Sequence, residues 1–593
     1  MPGPFGAVTR GDRAFSSPEP FPPTEHFRTT ARMLVDEPDH QLGLVERTHS
    51  PTGTSVHVAS GGRLVVLQGH CYDPVSREQY DAATLLAALD RSGDQVWSDA
   101  EGAFLFVVLD PVGRELRITN DRLGILPLYW HASEGRFCFA PALRYLPFGL
   151  PQNPYDPVSV IHLLAIGKYP GPHTPLRDVS LLQPAMHVTI DLDDPKPRFE
   201  HYWELEYRAD ESAKPKDLAH DLADAIEQSM DLMTAPSAGR GGLFLSGGWD
   251  SRSVLGAWLA CGRKPARAIT NGMSDDIKGA DTWLARKMAH DLGIPYYFSR
   301  REPRAGSELW REGLWLSEIA SENSPGVFGI HRLPEDQFDG LDYMVKGDVT
   351  WGTGELTSTE EGVVDRNFPW PLGDNVLSCL APDLRGEATV LYRDAIEATL
   401  ARCRNDHPAD RQQWLWQMSG IFRYIFSHGY YDEEYIEVRR PLLTRLVLDQ
   451  WTRVPWRLRV QKSLFLETIA KRYPSLFSYG RNHASHLANY YAHMSHRVRS
   501  TTEELEDPHG HVSEVLDLDR IRDLLTSFDP SSSPPRSRFS TKQRLRNWLH
   551  DRHAWRYHRT KFYEPEMRSL TTSDHSLAFR AHLLARWRSV SRP

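Results

Sequence analysis

A chain of 593 residues is too long for one core, so two domains of ordinary size plus appendages are the expectation. With 69 Lys and Arg against 78 Asp and Glu, the formal charge of −9 carries no general nucleic-acid footprint. No apolar run approaches a membrane span, and five widely spaced cysteines without a Cys-x-x-Cys pair point to reduced thiols in a cytoplasmic protein.

Residues 1–30, opening MPGPFGAVTRGDRAF, lack an apolar signal core and read as a flexible lead-in. Residues 31–210 read as mainly β. RLVVLQGHCYD, EGAFLFVVLD and RELRITND are short apolar strands broken by Gly, Pro and Asp, and DAATLLAALDRSG is a helix with a glycine stop. Cys71, deep in a strand phrase, reads as a small buried apolar residue.

Residues 211–525 form the second predicted domain, and its part up to about 350 alternates helix and strand, the pattern of a parallel sheet with covering helices. Its central stretch is 239–262. Leu243, Phe244 and Leu245 predict a buried strand, residues 246–251 a turn, and Arg252 onward a helix that Gly262 closes. Such a strand, Gly-Gly turn and helix N-terminus build a cup of N–H groups and hydroxyls for an anion. Gly247 and Gly248 let the backbone approach phosphate oxygens, with Ser246 and Ser251 beside them. No lysine follows the glycines, so this is not the common NTPase loop. Asp250 offers the carboxylate oxygen that a hard cation bridging phosphates requires.

Further strands are predicted at 266–270, 296–298 and 341–347, with an amphipathic helix over 281–293. Ligands of open α/β sheets lie at the C-terminal strand ends, which places Ser246, Thr270 and Gly347 around a nucleotide. Leu243, Leu245 and Thr270 either flank its adenosine or simply pack the sheet. From about 385 to 525 the chain reads as helical and rich in aromatics. Within it, His483, His486, His493 and His496, at intervals of 3, 7 and 3, lean to one side of a helix, a polar packing or substrate-facing surface more than a metal site, since no Cys or acid joins them. Residues 526–593 are a Pro/Ser linker and a basic, aromatic appendage (Arg544, Arg546, Trp548, Trp555) that reads as a solvated helical segment.

Three phrases of the first half, at 69–73, 101–104 and 120–129, resemble in that order the glutaminase half of the asparagine synthetase B family. Ser-Gly-Gly-Trp-Asp-Ser at 246–251 resembles the pyrophosphate loop of the same family's synthetase half. The resemblance implies an α/β fold: a degenerate Ntn-type β-rich (αββα) domain, then an adenine-nucleotide α-hydrolase-like parallel-sheet synthetase domain with a helical C-terminal part. It implies ATP and Mg2+, with Asp348 as a second metal carboxylate beside Asp250. Residues 437–443 resemble the family's Glu-x-Arg-x-Pro-Phe-Leu phrase, and Gln461 and Lys462 its lysine-bearing helix start. Adenylation of a carboxylate needs a fixed cation near the α-phosphate, the role expected of Lys462. The attacking amine needs a carboxylate base, the role expected of Glu437, oriented by Tyr431 or Tyr435.

The resemblance fails where glutaminases of this type carry a cysteine as the new N-terminus. Here Pro2 and Gly3 follow Met1, which implies no glutamine hydrolysis. Family members without that cysteine include β-lactam synthetases and lasso peptide cyclases. The wording of the loop and the added C-terminal module look most like the cyclases, which implies a core peptide substrate, a leader peptidase and a leader-recognition protein. A small-amino-acid ligase and an inactive scaffold are the alternatives.

Overall fold

The computed structural model describes residues 1–10, 29–47, 53–146, 155–235, 239–272, 274–300, 335–349, 354–365, 368–418, 432–480 and 512–526, with a few single positions (318, 320, 351–352, 577, 580–581 and 584). Tyr431, the four histidines from His483 to His496 and the basic-aromatic tail around Trp548 lie outside the described residues.

The first domain is two antiparallel sheets. Its strands are β1 (Gly3–Thr9), β2 (Thr29–Asp36), β3 (His40–Arg47), β4 (Thr54–Val58), β5 (Leu64–Tyr72), β6 (Glu101–Asp110), β7 (Glu115–Asn120), β8 (Tyr129–Ser133), β9 (Arg136–Ala140), β10 (Val179–Leu181), β11 (Met186–Asp191) and β12 (Arg198–His201). One sheet runs β10-β8-β9-β1-β3-β2 and the other β12-β11-β7-β6-β5-β4. They face each other through Phe5, Val8, Leu44, Val66, Leu105, Ile118 and Phe139. Helices α1 (Ala82–Ser92) and α2 (Gln95–Asp99) cover the outer side of β5 and β6 through Leu85, Trp97 and Phe106. The predicted α1 is held as its sequence suggests: Asp81 accepts from the Thr84 N–H at 2.8 Å, and Gly93 ends the helix at φ +57°.

The first strand corrects the reading of residues 1–30 as a flexible lead-in. β1 lies inside its sheet, between β9 and β3, with Phe5, Ala7 and Val8 buried. Glycines of β1 and β3 let the strand pack closely. A Cβ on Gly43 would come 2.2 Å from the Phe5 ring, and one on Gly6 2.5 Å from the Gln41 carbonyl oxygen.

The second domain is a five-stranded parallel sheet of β13 (Gly241–Phe244), β14 (Arg267–Gly272), β15 (Tyr296–Arg300), β16 (Tyr343–Val345) and β17 (Glu437–Arg439), in the order β15-β14-β13-β16-β17. Helices α4 (Pro215–Met233), α5 (Trp249–Ala260) and α6 (Asp281–Asp291) accompany it. The strand order reverses at β13, which opens the crevice between the C-terminal ends of β13 and β16 where open sheets bind ligands. β17 corrects the expectation of continuous helix after 385: Glu437, Val438 and Arg439 pair with Tyr343, Met344 and Val345.

The two domains are joined by buried charge. The Glu101 carboxylate, at the start of β6, accepts the backbone N–H groups of Arg445 and Leu446 at 2.8 and 3.0 Å. It thereby satisfies donors at the N-terminus of the helix Arg445–Arg453, where negative charge is favourable. The solvated reading of the C-terminal appendage also needs correction where it is described. Leu577, Arg580, Ala581 and Leu584 share one helix face and are buried. Arg580 donates to the Leu164 carbonyl at 2.6 Å, and Tyr155 to the Leu584 carbonyl at 3.1 Å. Among the described residues no helix is long and apolar enough to cross a membrane.

Candidate active site

The turn after β13 closes on itself through two hydroxyls. Ser251 Oγ donates to the carbonyls of Ser246 and Gly248, each at 3.1 Å, and lies 3.0 Å from Ser246 Oγ. Ser246 Oγ in turn accepts the Gly248 N–H at 3.1 Å. Helix α5 starts at Trp249, three residues before the expected Arg252, so Asp250 and Ser251 stand in its first turn. Its N-terminus has no side-chain cap, which leaves an anion as the natural partner for the N–H groups and the helix dipole.

Glycines set how closely this loop is packed. A Cβ on Gly247 would come 2.6 Å from Asp281 Oδ1, and one on Gly347 2.8 Å from both the Cα and N of Ser251. Gly347 therefore presses the end of β16 onto the first turn of α5, and Asp348 is the next residue of the chain. Arg252, fully buried, donates to the Gly247 carbonyl at 2.7 Å and lies 6.0 Å from the Phe477 ring. Trp249 meets the same ring edge-on at 5.0 Å. The Trp-Asp-Ser-Arg wording thus has a structural cause, for its first and last members fasten the loop to the segment around Phe477.

Two carboxylates and two cations line the crevice. Lys462 Nζ donates to Asp250 Oδ2 at 2.7 Å, with both side chains part-exposed. Lys462 and Gln461 both have left-handed backbones, at φ +58° and +52°, a conformation costing about 1–3 kcal/mol for non-glycine residues and concentrated at functional sites. Gly352 packs against the Lys462 stem, where a Cβ would come 3.0 Å from Cγ. On the other side Arg440 Nε donates to Asp348 Oδ2 at 3.0 Å. Asp250 and Asp348 fit a divalent cation bound with phosphates: two hard carboxylates at one glycine-tight junction are the protein's usual share of Mg2+ coordination. Both are matched by positive charge in this structure, the charge that a metal would share or replace.

The remaining sequence-predicted residues fall elsewhere. Leu243, Leu245 and Thr270 are buried in the sheet, and Thr270 Oγ1 donates to the Leu245 carbonyl at 2.6 Å. Glu437 is a correction. It stands at the N-terminal end of β17, buried at the domain interface, and pairs with Arg439 Nε at 2.6 Å and His70 Nδ1 at 3.4 Å. Burial pushes its carboxyl up, but Arg439 and His70 outweigh that and hold it well below the usual range, which makes it a poor proton acceptor. Tyr435 packs near Phe338, with ring centroids 6.3 Å apart.

Sequence reasoning missed Lys346, whose Nζ donates to Asp432 Oδ2 at 3.1 Å, and Arg440. The available signal was the acidic triplet at 432–434 shortly before a strand that ends in Arg439 and is followed by Arg440.

The glutamine amidotransferase domain family matches residues 72–203. Glutamine-hydrolysing asparagine synthetase 2 of Bacillus subtilis is 22% identical over 301 residues, 47% of this chain and 39% of that protein. Amidase chyE of Penicillium rubens is 25% identical over 312 residues, 47% of this chain and 43% of that protein. Over these stretches the chain is similar to asparagine synthetase-like and amidotransferase proteins. The matches span less than half the length of these curated relatives. Within the amidotransferase-like half of this synthetase-like chain, Cys71 is fully buried and burial drives its thiol well above the ordinary range. A thiol held protonated is inert as a nucleophile.

Proposed function

We propose that the protein is an ATP-dependent carbon–nitrogen ligase that releases AMP and pyrophosphate, without glutaminase activity. The observation that carries this reading is the loop at 246–251: an uncapped helix N-terminus, two inward hydroxyls and Asp250 held by Lys462 at 2.7 Å. Nucleotide phosphates suit that cup, and the asparagine synthetase among its relatives shares the chemistry. Mg2+ bound at Asp250 and Asp348 would neutralise phosphate charge. The protein's own groups do the rest. The α5 N–H groups and Ser246 orient the terminal phosphates, so that a substrate carboxylate oxygen faces the α-phosphorus. Lys462 stabilises the charge that grows as pyrophosphate departs.

For the substrate, the reading is a peptide closed into a macrolactam of the lasso type, between its N-terminal amine and an Asp or Glu side chain. The loop wording supports it. A leader peptidase and a leader-recognition protein would then supply the core peptide. Pyrophosphate release by the purified full chain tests the proposal. Release that requires a precleaved core peptide, with loss of one water from its mass, supports it. Release with a free amino acid makes the protein a small-molecule ligase, and ADP with inorganic phosphate as products overturns the adenylation step.

A further inference from the structure

Charges alternate in an unbroken line from the first domain to the crevice. Arg47, the last residue of β3, is buried and donates through Nη2 to Glu433 Oε2 and through Nε to the Glu433 carbonyl, both at 2.7 Å. Glu433 Oε1 accepts the Val438 N–H of β17 at 3.3 Å and lies 3.6 Å from Arg440 Nη1. Arg440, itself buried, then donates to Asp348 Oδ2. Beside this line stand Lys346 with Asp432 on the crevice side, and Glu437 with Arg439 and His70 on the domain side.

We propose that Arg47 and Glu433 are positioning residues through which the first domain sets the Asp348 carboxylate. The inference rests on the ligase reading above. Glu433 stands between two guanidinium groups and divides its charge between them. If Arg47 is removed, Glu433 is left buried with Arg440 as its near cation and draws it away from Asp348. Asp348 then loses the donor that holds its orientation, and groups that orient a metal ligand are commonly worth about 10–100-fold in metal affinity. The first domain, without a reactive thiol, thus keeps a part in the synthetase reaction by holding one carboxylate of its metal site.

The test uses the full chain, Mn2+ as a spectroscopic stand-in for Mg2+, and a nonhydrolysable ATP analogue. Electron paramagnetic resonance reads Mn2+ affinity directly, and pyrophosphate release is followed against Mg2+ concentration. Arg47→Met is expected to weaken Mn2+ binding and raise the half-saturating Mg2+ concentration about tenfold, whereas Glu433→Gln, which removes the carboxylate that would draw Arg440 away, should leave both near wild type. The double variant, which removes both charges, should recover part of that loss. Glu101→Gln is the control, because it breaks a comparably buried interdomain contact with no path to Asp348. It should lower thermal stability while leaving Mn2+ affinity at the wild-type value. Equal metal affinity in Arg47→Met and wild type overturns the inference, as does an equal loss in Glu101→Gln. A wild-type chain that binds no Mn2+ with the nucleotide overturns the ligase reading itself.

Discussion

Two ion pairs of the second domain hold similar charged residues in opposite circumstances. Glu437 and Arg439, the first and last residues of β17, are paired within the domain interface, with side chains 2% and 4% exposed. Around the crevice Lys462 and Asp250 pair at nearly the same distance, with side chains 17% and 32% exposed. A buried pair cannot be broken without stranding a charge in a low-dielectric interior. A part-exposed pair adds about 1 kcal/mol or less and gives way readily to a ligand that offers a stronger match. Exposure, rather than residue type or pairing distance, separates the charges that join the domains from those available for chemistry.

The sharpest way to break this contrast is Asp250→Asn. It is expected to abolish nucleotide-dependent pyrophosphate release while thermal unfolding stays near wild type. Turnover close to normal in that variant would remove Asp250 from the metal site. Glu437→Gln should do the reverse, lowering unfolding free energy by about 3–5 kcal/mol because Arg439 is left uncompensated. Its folded fraction should retain adenylation and amide formation alike. A stable Glu437→Gln chain that adenylates but forms no amide would restore Glu437 as the base.

Gly347→Ala sharpens the comparison at the crevice wall. Its new Cβ would lie 2.8 Å from Ser251 backbone atoms, so the strand end and the loop must part, at a cost of about 1–3 kcal/mol. Calorimetry with a nonhydrolysable ATP analogue should show weaker binding, and unchanged affinity would mean that the tight junction is incidental. A separate, pH-dependent effect concerns a buried group remote from the loop. His162 donates from Nδ1 to the Val158 carbonyl at 2.8 Å, and burial lowers its imidazole from 6.5 to about 3. The folded state therefore binds the proton less readily than the unfolded state. The stability this provides is complete above pH 6.5 and is lost as pH falls toward 3. His162→Leu should flatten denaturant midpoints across that window by at most ~1.4 kcal/mol per pH unit. An unchanged acid limb would place the sensitivity in other groups.

The strand–loop–helix unit was legible because its parts are neighbours in the chain. Gly247 and Gly248 report backbone closeness, Ser251 falls one turn after Ser246, and alternating apolar runs mark β13, β14 and β16. The lead-in was misread because the lack of an apolar signal core says nothing of strand pairing, and the partners of β1, which are β3 and β9, come later in the chain. Glu437 was misassigned for the same kind of reason: the motif around it is local, but its neighbours Arg439, His70 and Gly53 come together only when the domains meet.

By itself, then, the amino-acid order determined the strand, glycine turn and helix around residues 246–251 and the parallel sheet that carries them. Such features depend on covalent spacing, backbone freedom and side-chain periodicity, all of which are properties of short segments. Tertiary structure alone decided which charged groups are enclosed and which face the crevice. Desolvation and Coulomb energy depend on atoms brought together from hundreds of residues apart, such as Arg47 with Glu433, and no local pattern contains that information.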